Sequence, residues 1–299
     1  MAIAGTIAGA ISRSIVGALT DAFQPGGGGG GGGAGTTGPW DLTTLTAAET
    51  GNFQVRNYQS EPRAVWFKPD GTSFFTLGIG SARLLRWDMS TAWDVTSTGA
   101  VAVSMVGLLA DLQPSGLWIA ADGSFFVYVG DNGNDVHKHA MPTPWDPSSA
   151  SSVPDASYDM TSDGVTSPTA VHFNGDGTKM FVMEAPATYL INEFTLSTAY
   201  DPSTATFVGD FNLGTGSGNA YQHGLWINST EIYVNTQADT IHKWTFDGNT
   251  VASIVYDSSQ GYTQVQSAPR GLWMNDDWVA YMDWNGLDQV HIHAWGPHS

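Results

Sequence analysis

Cysteine is absent from all 299 residues, so neither a disulfide framework nor a thiolate zinc site can be built. Basic residues are scarce: ten Lys plus Arg stand against 28 Asp plus Glu, a formal net charge of −18. So acidic a chain repels a phosphate backbone over any broad surface, which disfavours a nucleic-acid partner. Also missing are a G-x-S-x-G elbow, a phosphate-binding P-loop and an H-E-x-x-H pair. No cofactor and no catalytic residue is expected.

What the chain does have is a repeat. Aligned on their first apolar run, five units begin at Pro62, Pro114, Pro168, Gln222 and Pro269, in steps of 52, 54, 54 and 47 residues. The third unit is the clearest: an apolar run (170–173), an Asp176-Gly177 turn, a second run (180–183), a loop, and a third run ending at Phe194. Asp-Gly between apolar runs marks a tight hairpin, because Gly accepts the positive φ the reversal needs. Repeats of this length correspond to four-stranded propeller blades. The first strand of each unit is apolar at successive positions, as in Ala64-Val65-Trp66-Phe67, so both of its faces need cover. A small first and a large third residue recur in these runs, which suits packing between blades.

The repeat starts out of phase. Trp40-Asp41 matches Trp145-Asp146, the pair that leads into an outermost strand, and lies 22 residues before Pro62; the equivalent intervals elsewhere are 21, 23 and 22. The fifth unit ends after its third strand. The spacing therefore predicts that residues 40–58 supply the outer strand of the last blade and close the ring, removing the exposed seam. The expected fold is all-β: a five-bladed propeller over residues 39–299.

Ahead of it, residues 1–24 carry Ile3, Ile7, Ile11, Ile15, Leu19 and Phe23 at a stride of four, which predicts a short apolar helix for anchoring or oligomerisation. Gly5 and Gly9 would let a second helix approach closely. A secretory leader lacks its basic start and its cleavage site here. A membrane span would place Arg13 near the bilayer centre at a cost of about 2.5–3.5 kcal/mol, so membrane contact by this segment is the lesser expectation. Residues 25–38, with eight consecutive Gly, read as a tether spanning roughly 20 Å as a free coil.

Candidate chemistry is sparse. His137 with His139, and His291 with His293, each share a strand face as metal ligands would, but the repeat places them in packing slots, and no metal site is expected. The run Asp131-Asn132-Gly133-Asn134-Asp135 is rich enough in oxygen donors to raise calcium. Glycosidases need two carboxylates across the sugar. The residues leading into the inner strands are Arg63, Ser115, Thr169, His223 and Arg270, without a carboxylate, and Glu61 and Glu184 are left as loop acids at non-equivalent positions.

The unit F-x-x-D-G-[TS]-x-[FM]-F-[VT], followed by M-S-T-A-W-D or L-S-T-A-Y-D, occurs at 67–76 with 89–94 and at 173–182 with 196–201. It resembles the propeller repeats of tail-fibre-like and other bacteriophage virion proteins. That resemblance implies a non-enzymatic virion protein, a tail-fibre or spike-like homo-oligomer held to other virion proteins through residues 1–38 and presenting the propeller to a host-surface glycan. The rival expectation is a secreted or membrane-anchored sugar-binding propeller of bacterial origin. In either case strand direction puts the starts of the inner strands and the loops between second and third strands at one end of the ring. That end gathers Arg63, His223 and Arg270 near the channel, with Asp131, Asn132, Tyr189, Asp239, Asp283, Trp284 and Asn285 around it, as the expected ligand face. Amide, carboxylate and aromatic groups together suit a sugar.

Overall fold

The computed structural model describes residues 42, 49–100, 103–105, 109–185, 189–213, 222–236, 240–248, 250–261, 269–283 and 287–295. The helix expected over 1–24, the Gly tract and Trp40-Asp41 lie outside them.

The described residues form five four-stranded antiparallel sheets. After β1 (Gly51–Gln54) comes blade one, with β2 (Pro62–Phe67), β3 (Ser73–Gly78), β4 (Leu85–Asp88) and β5 (Val103–Ser104). Blade two holds β6 (Pro114–Ile119), β7 (Phe125–Gly130), β8 (Asp135–Ala140) and β9 (Ala156–Asp159). Blade three follows with β10 (Pro168–Phe173), β11 (Lys179–Glu184), β12 (Leu190–Leu196) and β13 (Ala205–Asn212). In blade four the strands are β14 (Gln222–Ile227), β15 (Glu231–Thr236), β16 (Thr240–Thr245) and β17 (Val255–Gly261). Blade five takes β18 (Pro269–Met274), β19 (Trp278–Asp283) and β20 (Gln289–Ala294), and its outer strand is β1. The inner strands touch in ring order, β2 to β6, β10, β14, β18 and back to β2.

Closure by the N-terminal strand is therefore observed. β1 pairs antiparallel with β20 in the register Gly51 to Ile292 and Phe53 to Val290, and Thr50 N and Val55 N continue the ladder to Ile292 O and Asp288 O at 2.9 Å each. The other face of β1 is anchored in blade one: the Phe53 ring lies 5.3 Å from that of Trp87 and 6.1 Å from that of Phe74. One short strand thus joins the last blade to the first.

The small residue of each inner strand marks where neighbouring backbones meet. A Cβ on Gly116 would come within 2.5 Å of Ala170 Cα, and one on Gly271 within 2.9 Å of Ala64 Cα. The Asp-Gly turns are built as the sequence predicts, with Asp70, Asp122 and Asp176 each accepting from the N–H and hydroxyl of the Thr or Ser two residues on. Where units four and five shorten the hairpin, Asn228 and Asn275 accept backbone N–H bonds in the same manner.

Candidate functional site

The inner strands do not pair evenly with their neighbours. In blades one to four the register slips across Arg63, Ser115, Thr169 and His223, and in blade five across Gly271, just after Arg270. A bulge leaves one residue out of the ladder and re-aims a side chain. Here the five side chains Arg63, Ser115, Thr169, His223 and Arg270, one from each blade, line one small depression that is too narrow to enclose a water molecule. Of these, Arg63, His223 and Arg270 are expected from the sequence as ligand groups. Ser115 and Thr169 complete the ring, and the signal for them is their identical place in the repeat.

About 10 Å further along the strands, three residues on at roughly 3.3 Å each, the channel is filled. Trp66, Trp118, His172, Trp226 and Trp273 converge there. The Trp66 ring centroid lies 6.0 Å from that of Trp118, 6.4 Å from His172 and 5.4 Å from Trp226; Trp226 is 5.0 Å from His172 and 6.0 Å from Trp273. The aromatic stripe of the repeat is thus an axial plug. Burial pushes His172 down to about 4, so it packs as a neutral ring, with Nδ1–H donating to Phe173 O at 2.9 Å.

Two guanidiniums stand at the mouth above the plug, with the carboxylates of Glu61 and Asp131 near both. Arg270 is 6% exposed; its burial, and then the neighbouring Arg63 charge, lower its pKa to about 9, with Glu61 and Asp131 opposing. Burial likewise lowers Arg63, against the pull of Asp131 and Glu61. Burial followed by the two guanidiniums drives His223 down to about 3, so it is a neutral imidazole at physiological pH. Two cations therefore share one small, partly dehydrated space. Ser115 Oγ donates to Pro168 O at 2.5 Å and Thr169 Oγ1 to Met183 O at 3.3 Å, so the hydroxyl hydrogens are committed to backbone.

The remaining expected ligand residues divide. Asp131 accepts from Ser167 Oγ at 2.9 Å and stands at the rim; Asn132 is exposed, and its N–H donates to Asp111 Oδ2 at 3.1 Å. Tyr189 is half-buried with φ 52°, its carbonyl accepting from Leu213 N at 2.9 Å. Asp239, Trp284 and Asn285 lie outside the described residues. Asp283 is not a surface group: it is 0% exposed, accepts from Gln289 N at 2.9 Å and lies 3.1 Å from His291 Nε2. An internal partner has drawn it beneath the face on which its loop position would place it. Glu184 is likewise buried, accepting from the N–H and hydroxyl of Thr166, while Glu61 remains exposed.

The histidine pairs serve packing and internal polar contacts. His139 stacks on Phe126 at 4.9 Å, and His137 Nδ1 lies 2.7 Å from Ser157 Oγ, its pKa pushed down to about 4, first by burial and then by His139. The oxygen-rich loop at 131–135 is tied from below: Asp111 accepts from both Asn132 N and Gly133 N. Among the described residues no group of three His, Asp or Glu is arranged to hold a metal ion.

No family model and no curated protein matches this chain. Among solved structures it is similar to proteins provisionally named as 6-phosphogluconolactonases. The one from Bacteroides uniformis is 15% identical (TM-score 0.45) over 70% of this chain and 57% of that one. The one from Bacteroides fragilis is 13% identical (TM-score 0.46) over 71% of this chain and 58% of that one. The β-propeller domain of Cps50 (Swd1) from Myceliophteria thermophila is 10% identical (TM-score 0.44), covering 83% of this chain and 99% of that one. The chain thus aligns with just over half the length of the first two. Likeness at this level carries no argument about what this chain does.

Proposed function

We propose that this chain is a non-enzymatic recognition module of a bacteriophage virion, a tail-fibre or spike-like component that turns the mouth of its propeller toward a saccharide on the host surface. The observation that carries the binding half of this reading is the closed axis. Five rings fill the channel, and the five side chains above them include two guanidiniums and no carboxylate. Sugar hydrolysis needs an acid and a second carboxylate facing each other across the bond, and the ring positions supply neither. What the mouth offers is a shallow polar surface with charged and amide groups at its rim, which suits reversible contact.

The virion half rests on the repeat at 67–76 with 89–94 and at 173–182 with 196–201, which resembles phage virion propellers, and on the apolar and Gly-rich residues 1–38, suited to docking and tethering. Mass spectrometry of purified particles tests it. The chain is expected among the particle proteins at a copy number set by the symmetry of the structure it decorates. Recovery from the bacterial envelope with absence from particles would overturn this half and favour the membrane-anchored sugar-binding propeller.

A further inference from the structure

We infer that the mouth of the ring is a site for the carboxylate of an acidic saccharide, met at the surface of the depression by the guanidiniums of Arg63 and Arg270. This deepens the recognition reading above and rests on it.

The juxtaposition of the two arginines is the first argument. They come from adjacent blades, stand at equivalent ring positions, and line the same depression. Like charges brought together away from water repel each other, and an anion between them relieves both the repulsion and the lost hydration. Among the described residues Arg63 makes no ion pair, and its buried Nε has no hydrogen-bond partner. An unmet buried N–H on a charged group is costly to leave so. A guanidinium presents its N–H groups as a planar fork matched to the two oxygens of a carboxylate. Neutral His223 lines the same depression without adding a charge.

The surroundings select the kind of anion. Glu61 and Asp131 are near enough to act electrostatically on both Arg63 and Arg270. Two rim carboxylates, on a chain of net charge −18, penalise a doubly charged phosphate or a densely sulfated polymer more than a single carboxylate. They also accept hydrogen bonds from hydroxyls, as the side chain of exposed Asn132 can, so a singly charged group on a hydroxyl-bearing body meets both halves of the surface. The depression has no room to enclose a group, so the anionic substituent is met at its surface while the rest of the sugar lies across the rim.

The test is equilibrium binding of the full-length protein to a panel of uronic- and sialic-acid oligosaccharides, to their methyl esters, to neutral oligosaccharides of the same length, and to sodium sulfate and phosphate. Binding to an acidic member is expected, weakened about tenfold or more by esterification and by Arg63→Gln, and falling as salt is raised. Arg63→Lys keeps the charge but not the fork and should fall between. Circular dichroism of both variants, unchanged, separates lost binding from lost fold, and Arg63, being partly exposed, is the safer position to change than Arg270. Binding to neutral sugars alone, untouched by Arg63→Gln, would overturn this inference and leave the recognition reading standing. Sulfate or phosphate binding as tight as any saccharide would overturn the assignment to a carboxylate. No saccharide binding of any kind would overturn both.

Discussion

The glycine of each Asp-Gly hairpin lies against an aromatic ring from the outer connection of its own blade. Trp93, Trp145 and Tyr200 all have positive φ, between 57° and 66°, and donate their backbone N–H to the carbonyls of Gly71, Gly123 and Gly177. Each ring then covers its glycine so closely that a Cβ there would come within 2.4 Å of it. The same rings reach the preceding blade: Trp93 stacks on Trp273 at 5.6 Å and Tyr200 on Trp118 at 5.5 Å. This links two halves of the repeat motif, the D-G-[TS] turn and the T-A-[WY]-D turn some twenty residues later, through one contact. Gly123→Ala meets both the Trp145 ring and the strain of φ +73°, and should cost about 3 kcal/mol in urea unfolding. Gly99→Ala, in open space without positive φ, should stay within about 0.5 kcal/mol of the parent. Equal losses at the two positions would remove the ring-over-glycine account.

The closing strand is held by more than its ladder. Glu49, just before β1, places Oε1 at 2.7 Å from His291 Nδ1, while Asp283 Oδ2 lies 3.1 Å from Nε2. Tyr281 stacks on His291 at 5.1 Å, and its hydroxyl meets His293 Nε2 at 3.0 Å. Burial alone would lower His291; the hydrogen bonds and charges of Asp283 and Glu49 outweigh it and raise the pKa to about 8 from 6.5. Burial would raise Glu49, yet its bond and attraction to His291 bring it below its usual 4.5. A raised histidine pKa means the folded state prefers the charged form. That stabilisation is full below about 6.5 and is lost as pH rises through about 8, amounting to about 2 kcal/mol. The depressed Glu49 adds stability above about 4.5 that is lost on further acidification. Urea unfolding across pH 6 to 9 should therefore show a decline that His291→Gln abolishes; a variant that keeps the slope would contradict the assignment. The need for a closing strand is legible from intervals between turn motifs, since those count residues along the chain. The latch is not, because Glu49 and His291 are 242 residues apart and no spacing pairs them. Asp283 reads as a surface ligand from the sequence for the same reason: its loop position is visible there, its buried partner His291 is not.

Taken as one object, the molecule is a ring sealed twice, at its circumference by β1 and along its axis by the five rings of the plug. The blades and their number are legible because each unit repeats the same apolar runs and turns. The mouth is legible in part: the register identifies which five residues stand in equivalent places, but the bulges that bring them to one depression arise from backbone pairing, which composition does not encode. That the third residues of the runs meet across the axis was hidden too, since alternation along a strand shows which residues share a face and not what that face meets. On the proposed reading, a ring whose five mouth-lining residues include no carboxylate should retain its ligand without transforming it. The most direct measurement is the chain length of a polysaccharide incubated with the full-length protein that binds it, followed by size-exclusion chromatography and assay of reducing ends. The account predicts a retained polymer that is recovered at its original length with no new ends. Progressive shortening, with new ends that disappear in the Arg63→Gln variant, would contradict it.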